Sequence, residues 1–423
     1  MSLDRSIAPD FRPVEKVYFP SPQKITLPNG QPLYVVNVGE QPVVRLEVIF
    51  EAGTWHEQIE GASFFATKML AEGTEKYHSA QISSYFDGLG AFVDFNHSSD
   101  RANIIVYGLA KHLEALLAMV VEIIQTATFP EKEWGDLKNI TLQNLKINLE
   151  KNAYVATTAF KELLFGAQHP YGRSQKAEKM EDLTLQNIKD FYHQRIKSRP
   201  FRVFISGKVS DAEIEAIHRY LGQVPVFSED FVANHVVLAS DEKLLRNDKP
   251  DAMQTSLRIG RRMIGRKHPD FYALLVANEI LGGYFGSRLM QNIREDKGYT
   301  YGISSSMAAL LRDGFWTIST DVKKEFWEAT LDEIQREIEK MQTTLVGEEE
   351  LEKVKNFMSG EFAGALNTPF EIADRVKVMV LDGLEEDFYS NHISRLRVVK
   401  AEEIREIAQK YWQWDDLYKV AIG

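Results

Sequence analysis

Apolar and polar positions alternate along the start of the chain in the way that marks half-buried strands. "KITLPNGQPLYVVNV" (24–38) carries two alternating runs on either side of the turn signal Pro28-Asn29-Gly30. "VVRLEVIFEAGTW" (43–55) follows as another strand. The spacing then widens to the helical period over about Gly61 to Leu70 and again over about Ala80 to Leu89. "GAFVDFN" (90–96) and "ANIIVYGLA" (102–110) return to strand character. A long helical tract runs from Lys111 to about Phe165, with a break near Phe129-Pro130. A helix near Leu185–Ile196, the strand "FRVFISGKV" (201–209) and a helix from Ser210 to Leu221 complete this stretch.

The same order then repeats. "MQTSLRIGRRMI" (253–264) reads as a strand, and "PDFYALLVANEILGG" (269–283) as an amphipathic helix that stops at Gly282-Gly283. "SRLMQNIRE" (287–295) is a short helix, followed by strands "YTYGISSSMA" (299–308) and "GFWTISTDV" (314–322). A helical tract covers Lys324 to about Leu381, "AEEIREIAQKYW" (401–412) is a helix, and "YKVAIG" (418–423) is a last strand. Strands beside helical runs, with neighbouring antiparallel strands, predict an α+β fold. The expected division is a domain over 1–225, a linker over 226–250 where periodicity fades, and a second domain over 251–423. The pattern alone leaves open that the two-fold order is a coincidence.

Composition narrows the function classes. The chain has 423 residues, 44% of them hydrophobic, enough for a sizeable core. A formal net charge of −11 argues against a phosphate backbone as partner, and no basic block reverses that. A neutral or positively charged peptide is compatible. The absence of cysteine removes disulfides, thiolate metal sites and a cysteine nucleophile together. No apolar run reaches the roughly 18 residues that a membrane-spanning helix needs. Met1 to Pro13 lacks the apolar core of a signal peptide. Its polar character suits a mature end, so a removed signal is compatible with it.

"GASFFATKMLAEGT" (Gly61–Thr74) carries the main resemblance. It is similar to the signature segment of the pitrilysin/insulysin (insulinase) family of zinc peptidases, to which the mitochondrial processing peptidases belong. There the helix bears H-x-x-E-H. Two histidines four residues apart share one helix face and hold zinc, while the glutamate beside them activates the metal-bound water. Gly61, Phe65, Met69, Leu70, Gly73 and Thr74 fit the frame of that signature, but the chemical positions are Phe64, Thr67 and Lys68. Phenylalanine has no lone pair for a metal, threonine is a poor base, and lysine brings a cation to the zinc position. No histidine of the chain has another four residues on. The resemblance puts the family's third ligand, a glutamate, on the long helix roughly 75–85 residues later, and Glu150 is the only acidic residue in that stretch. The expected reading is therefore a degenerate zinc motif, no metal and no cofactor of the chain's own. "HPYGR" (His169–Arg173) also resembles a family segment that follows the long helix.

"LGGYFGSRLMQNIREDKGYTYGISS" (Leu281–Ser305) resembles the family's second-half signature, a glycine-rich loop, a helix, an arginine, and a tyrosine seven positions later. Here these are Arg294 and Tyr301. The resemblance implies that this pair faces the zinc site across a chamber, holds substrate and stabilises the oxyanion of peptide hydrolysis. Arginine keeps its charge and several donors, and a tyrosine hydroxyl donates to a developing negative oxygen. Gly282, Gly283 and Gly286 would let a peptide backbone approach closely. Against this stands an ordinary pairing of Arg294 with Glu295 or Asp296 and a half-buried Tyr301. The family also binds peptides as an added strand, for which Gly90–Ser99, with Ala91, Phe92 and Val93, is the candidate edge.

Some bacterial members of the family divide this labour, one subunit with the zinc motif and its partner with the Arg/Tyr pair. The chain resembles the second kind. That implies a non-catalytic subunit, inactive alone, which joins a zinc-bearing partner of the same family to act on an unfolded peptide. Two homologous halves, each a mostly antiparallel sheet covered by helices, would face each other as a clamshell. The polar start and the resemblance lean towards the bacterial periplasm, with the cytoplasm as the other possibility. The competing readings are a peptide-binding or scaffold protein of the same fold, and an active metallopeptidase with an unrecognised site.

Overall fold

The computed structural model describes residues 12–228 and 234–423. Met1–Phe11, most of the polar start, and residues 229–233, part of the expected linker, lie outside the described residues. The first half contains β1 (Gln23–Thr26), β2 (Pro32–Asn37), β3 (Val43–Phe50), α1 (Ala62–Lys68), α2 (Ser79–Gly88), β4 (Phe92–His97) and β5 (Ala102–Leu109). It continues with α3 (Leu113–Thr126), α4 (Glu131–Glu150), α5 (Asn152–Phe165), α6 (Ala177–Asp182), α7 (Leu185–Arg195), β6 (Phe201–Gly207) and α8 (Asp211–Tyr220). The second half contains β7 (Leu244–Asn247), β8 (Gln254–Arg262), α9 (Phe271–Asn278), β9 (Thr300–Ala309) and β10 (Gly314–Lys323). Then come α10 (Trp327–Thr343), α11 (Glu348–Gly364), α12 (Pro369–Leu381), α13 (His392–Arg397), α14 (Ala401–Tyr411) and β11 (Tyr418–Ile422). Two wide π-type segments, Glu279–Gly283 and Met290–Asp296, lie between α9 and β9.

The two halves share one topology. The first sheet runs β1-β2-β6-β3-β5-β4 and the second β7-β11-β8-β10-β9. In each, a central strand (β3, β8) is flanked by antiparallel partners, and a hairpin strand (β4, β9) forms one edge. In each, one pair is parallel, β2 with β6 and β7 with β11. The repeat order expected from the pattern is thus present, and the class is α+β. Strand β7 falls at the end of the 226–250 stretch, where four residues are too few to show a period.

Local chemistry sets the boundaries of the helices. The break near Phe129-Pro130 is a true corner: Phe129 sits at φ 56° and α4 starts directly after Pro130. A second break at Lys151 separates α4 from α5. The segment expected to be an amphipathic helix over 269–283 is instead buried on nearly all sides, with Leu274, Val276, Ala277, Ile280 and Leu281 all enclosed. It is fastened to the edge strand by a buried network in which Trp316 Nε1 donates to Asn278 Oδ1 (3.0 Å) and Ser305 Oγ (2.7 Å).

Each half lends a helix to the other's sheet. On one face of the first sheet, Val44, Leu46, Val48 and Phe50 of β3 pack under the half's own helices. The opposite face carries Val36, Ile49 and Phe204, and these pack against Ala373, Val376 and Met379 of α12 from the second half. Reciprocally, α5 of the first half supplies Ala156, Phe160 and Leu164 to cover Tyr418, Val420 and Ile422 of β11. Polar anchors accompany both exchanges. Lys377 of α12 reaches Glu47 at 2.9 Å and Asp374 pairs with Arg45 at 2.9 Å. Arg258 of β8 donates to Thr157 Oγ1 (3.0 Å) and Ala153 O (3.3 Å) on α5. Arg45 and Glu47 alternate with Val44 and Leu46 as a solvent face would, yet α12 buries both, Glu47 with a side chain 1% exposed.

Candidate functional site

Helix α1 carries the three positions of the degenerate motif, and none of them is free to bind a metal. Phe64 stands edge-on to Phe65 and to the His97 ring. Thr67 is fully buried, and its hydroxyl donates back to the Ser63 carbonyl at 2.7 Å. Lys68 extends to β4, where Nζ donates to the Phe95 carbonyl at 2.6 Å. A hydrocarbon ring, a committed hydroxyl and an ammonium give no donor set for zinc, so these positions do not fit the ion. Glu150 ends α4 beside the second half, where Lys249 Nζ approaches its carbonyl at 3.5 Å. Among the described residues, no three His, Cys, Asp or Glu side chains are grouped to hold a metal.

The ground beneath α1 holds a polar cluster that the sequence did not disclose. Glu57 Oε1 accepts from the Ser63 amide at 2.9 Å and from the Ser63 hydroxyl. The Ser63 hydroxyl also meets His97 Nε2 at 2.6 Å. Arg173 lies 3.2 Å from Glu57 Oε2 and 3.6 Å from Glu60, and donates to the Thr54 carbonyl at 3.0 Å. Burial pushes the Glu57 carboxyl up against the pull of Ser63 and Arg173. Burial, with the Lys68 ammonium nearby, pushes His97 down to about 4, so its ring is neutral at pH 7. Ser63 is fully buried, so the cluster is a clamp under α1 rather than an exposed nucleophile. The signal that could have found it is weak, since Glu57, Ser63 and His97 share no motif spacing.

"HPYGR" has a firm structural role. Tyr171 donates to Asp100 at 2.8 Å, and Arg312 of the second half joins the same carboxylate at 2.5 Å. Gly172 sits where a side chain would lie 2.3 Å from the Gly166 carbonyl. The segment therefore ties the base of α1, through Arg173, to the junction of the halves.

In the second half, Arg294 lies in the wide turn Met290–Asp296 and Tyr301 on the edge strand β9. Tyr301 is 91% exposed, not half-buried, so its hydroxyl is open to an incoming group. The Arg294 guanidinium stands 4.6 Å over the exposed Phe285 ring, with Glu295 at 3.6 Å. The pairing with Glu295 is present but long and largely in solvent. The three glycines have intramolecular causes. A Cβ on Gly282 would sit 2.7 Å from Ser305 Cβ, on Gly283 2.3 Å from the Glu279 carboxylate, and on Gly286 2.8 Å from the Tyr284 ring. They let the loop pack on itself and on β9. Partial burial of Glu279 beside them, with Glu361 adding like charge, pushes its carboxyl up to about 7.

Phe92 and Val93 open β4 and Ala91 precedes it; α1 packs against this strand, with Lys68 and Phe64 meeting it at Phe95 and His97. Ala91 is buried, Val93 half-buried, and Phe92 is 61% exposed. Arg294, Tyr301 and the glycines lie in the other half.

The sequence matches the family described as "Insulinase (Peptidase family M16)" over residues 34–167 and the "Peptidase M16 inactive domain" over residues 182–358. A Bacillus subtilis protein described as an uncharacterized zinc protease is 23% identical over 398 residues, covering 93% of this chain and 96% of the relative. The beta subunit of the bovine mitochondrial-processing peptidase is 21% identical over 385 residues, covering 84% of this chain and 74% of that subunit. Among solved structures, a peptidase M16 inactive domain from Pseudomonas fluorescens has a TM-score of 0.84 at 23% identity, covering 95% of this chain and 98% of that one. The periplasmic protease PqqL of Escherichia coli has a TM-score of 0.80 at 16% identity, covering 100% of this chain but 48% of its own. The paired α+β halves thus match a known clamshell arrangement.

Proposed function

We propose, from the premise that this chain belongs to the insulinase family of peptidases, that it is a non-catalytic subunit completing the site of a zinc-bearing partner. The partner, of the same family, holds the metal. This chain offers Arg294 and Tyr301 to an unfolded peptide and to the oxyanion that forms on its scissile carbonyl. The observation that supports this is an asymmetry. The first-half motif is plugged by Phe64, Thr67 and Lys68, while Tyr301 and the Arg294–Phe285 pair stand at the surface. Domains of 1–225 and 251–423 joined by 226–250 remain our division of the chain, with Ala91–Val93 as the first half's share of peptide binding. We place the protein in the bacterial periplasm, where the similar PqqL acts as a protease. Among the described residues no helix is long and apolar enough to cross a membrane.

The test mixes the purified chain with a zinc-bearing family member from the same organism and follows cleavage of an unstructured peptide. Cleavage on mixing is expected, and Arg294→Ala or Tyr301→Phe should lower it by about a hundredfold, as loss of an oxyanion donor does. Cleavage by the chain alone, or variants that cleave as fast as wild type, would defeat this reading. A peptide-binding or scaffold role is the second reading. It is favoured by the parking of Arg294 over Phe285, and it predicts no cleavage with any partner.

A further inference from the structure

Strand β4 forms the outer edge of the first sheet, so one row of its backbone groups faces away from β5. Such a row is a ready template for another extended chain. In an antiparallel pair the row belongs to every second residue. Phe95 shows which residues these are. Its amide donates to Asp94 Oδ1 at 2.8 Å, and its carbonyl accepts from Lys68 Nζ at 2.6 Å. Alternation gives Val93 and His97 the same outward direction. The edge is therefore uneven: it runs past Val93, beside the exposed Phe92, and at Phe95 both backbone groups are already taken by side chains of this chain.

The second half shows the same device in another form. Asn278, the last residue of α9, donates to the Ser305 carbonyl of edge strand β9 at 3.2 Å, as Lys68, the last residue of α1, does to Phe95. The two helices occupy equivalent places in the repeat, between the central strand and the edge strand. Asn278 is sealed in the buried Trp316 network. Lys68 is half-buried and holds its carbonyl through one bond on a flexible stem. The closure of the first sheet is thus the removable one.

We propose that Lys68 and Asp94 act as a stop on a peptide-docking edge: an extended polypeptide pairs with β4 at Val93 and is turned away at Phe95. This rests on the reading that the chain holds extended polypeptide, and on nothing concerning Arg294 or Tyr301. The side chains that replaced zinc chemistry on α1 would then limit the length of polypeptide the first half can align.

The experiment titrates the chain alone with a fluorescein-labelled peptide of alternating threonine and lysine and reads fluorescence anisotropy. Lys68→Met with Asp94→Ala should bind about tenfold tighter than wild type, as two recovered backbone hydrogen bonds would give. The gain should vanish for the same peptide N-methylated at alternate amides. A double variant that melts with wild type yet binds no tighter overturns the proposal, as does an equal gain on the N-methylated peptide. Should the double variant fail to fold, hydrogen exchange on the wild type decides. Saturating peptide should slow exchange of the Val93 amide and leave that of Phe95 unchanged, and protection of Phe95 overturns the proposal. Absence of binding by wild type and variant alike also overturns it, and leaves the mixing assay for Arg294 and Tyr301 untouched.

Discussion

Replacing Lys377 by methionine probes the joint between the halves. Lys377 Nζ lies 2.9 Å and 3.1 Å from the two oxygens of Glu47, whose side chain is 1% exposed. After the substitution Glu47 keeps one donor, Asn103 Nδ2 at 2.7 Å. A buried charge stripped of its partner costs about 3–5 kcal/mol, and the remaining amide points to the lower end, about 3 kcal/mol. Glu47→Gln should cost less, about 1–2 kcal/mol, because Lys377 is 21% exposed and still has Asp374 at 3.1 Å. The double variant leaves a neutral amide against methionine. It should lose about 2 kcal/mol, well short of the sum, for a coupling of about 2–3 kcal/mol. Urea unfolding followed by tryptophan fluorescence measures all three, and the shared helices predict one transition. A loss below about 1 kcal/mol for Lys377→Met, or additivity within about 0.5 kcal/mol, would refute the reasoning.

Glu279, pushed up to about 7 by burial and Glu361, loses stability for the fold as pH rises from its unfolded value through 7. Glu279→Gln should therefore stabilise the chain at pH 8 by about 1–2 kcal/mol, allowing for partial exposure, and leave it unchanged at pH 4, read by melting temperature. His392, lodged among Phe362, Tyr272 and Tyr389, is pushed down to about 4 by burial. Its neutral form favours the fold above the unfolded value and is lost as pH falls towards 4. His392→Gln should cut the protons taken up on unfolding at pH 5.5 by close to one, measured as the slope of stability against pH. Gly282→Ala brings a methyl within 2.7 Å of Ser305 Cβ and should cost about 1–3 kcal/mol by overpacking, seen as a lower urea midpoint. A neutral outcome would restore a peptide-facing role for that glycine.

The fold was legible where periodicity and punctuation agree. Pro28-Asn29-Gly30, the Phe129-Pro130 corner and the paired strands before each edge all sit where the pattern places them. What stayed hidden depends on residues far apart in sequence. Nothing in "VVRLEVIF" announces that Arg45 and Glu47 lie under a helix more than three hundred residues away. The short strand β7 and the helices α6 and α13 are too brief to show a period. At the candidate site, the loss of zinc chemistry could be read from residue types alone. The grip of Lys68 on Phe95 could not, because a long flexible side chain has no sequence-coded direction. The glycines of the second half read as room for a ligand; that they also make room for Ser305, Glu279 and Tyr284 of the protein itself depends on contacts the sequence does not show.

The exchange of helices has a consequence for synthesis. When the first half leaves the ribosome, the face of its sheet bearing Val36, Ile49 and Phe204 has no cover until α12 has been made. At about 5–20 residues per second, translating from β6 to the end of α12 takes roughly ten to thirty seconds. For that time a bare apolar face with Arg45 and Glu47 at its centre is open to solvent, and a holdase would find its client there. A chain truncated after α8 would keep that exposure permanently and collect in the insoluble fraction.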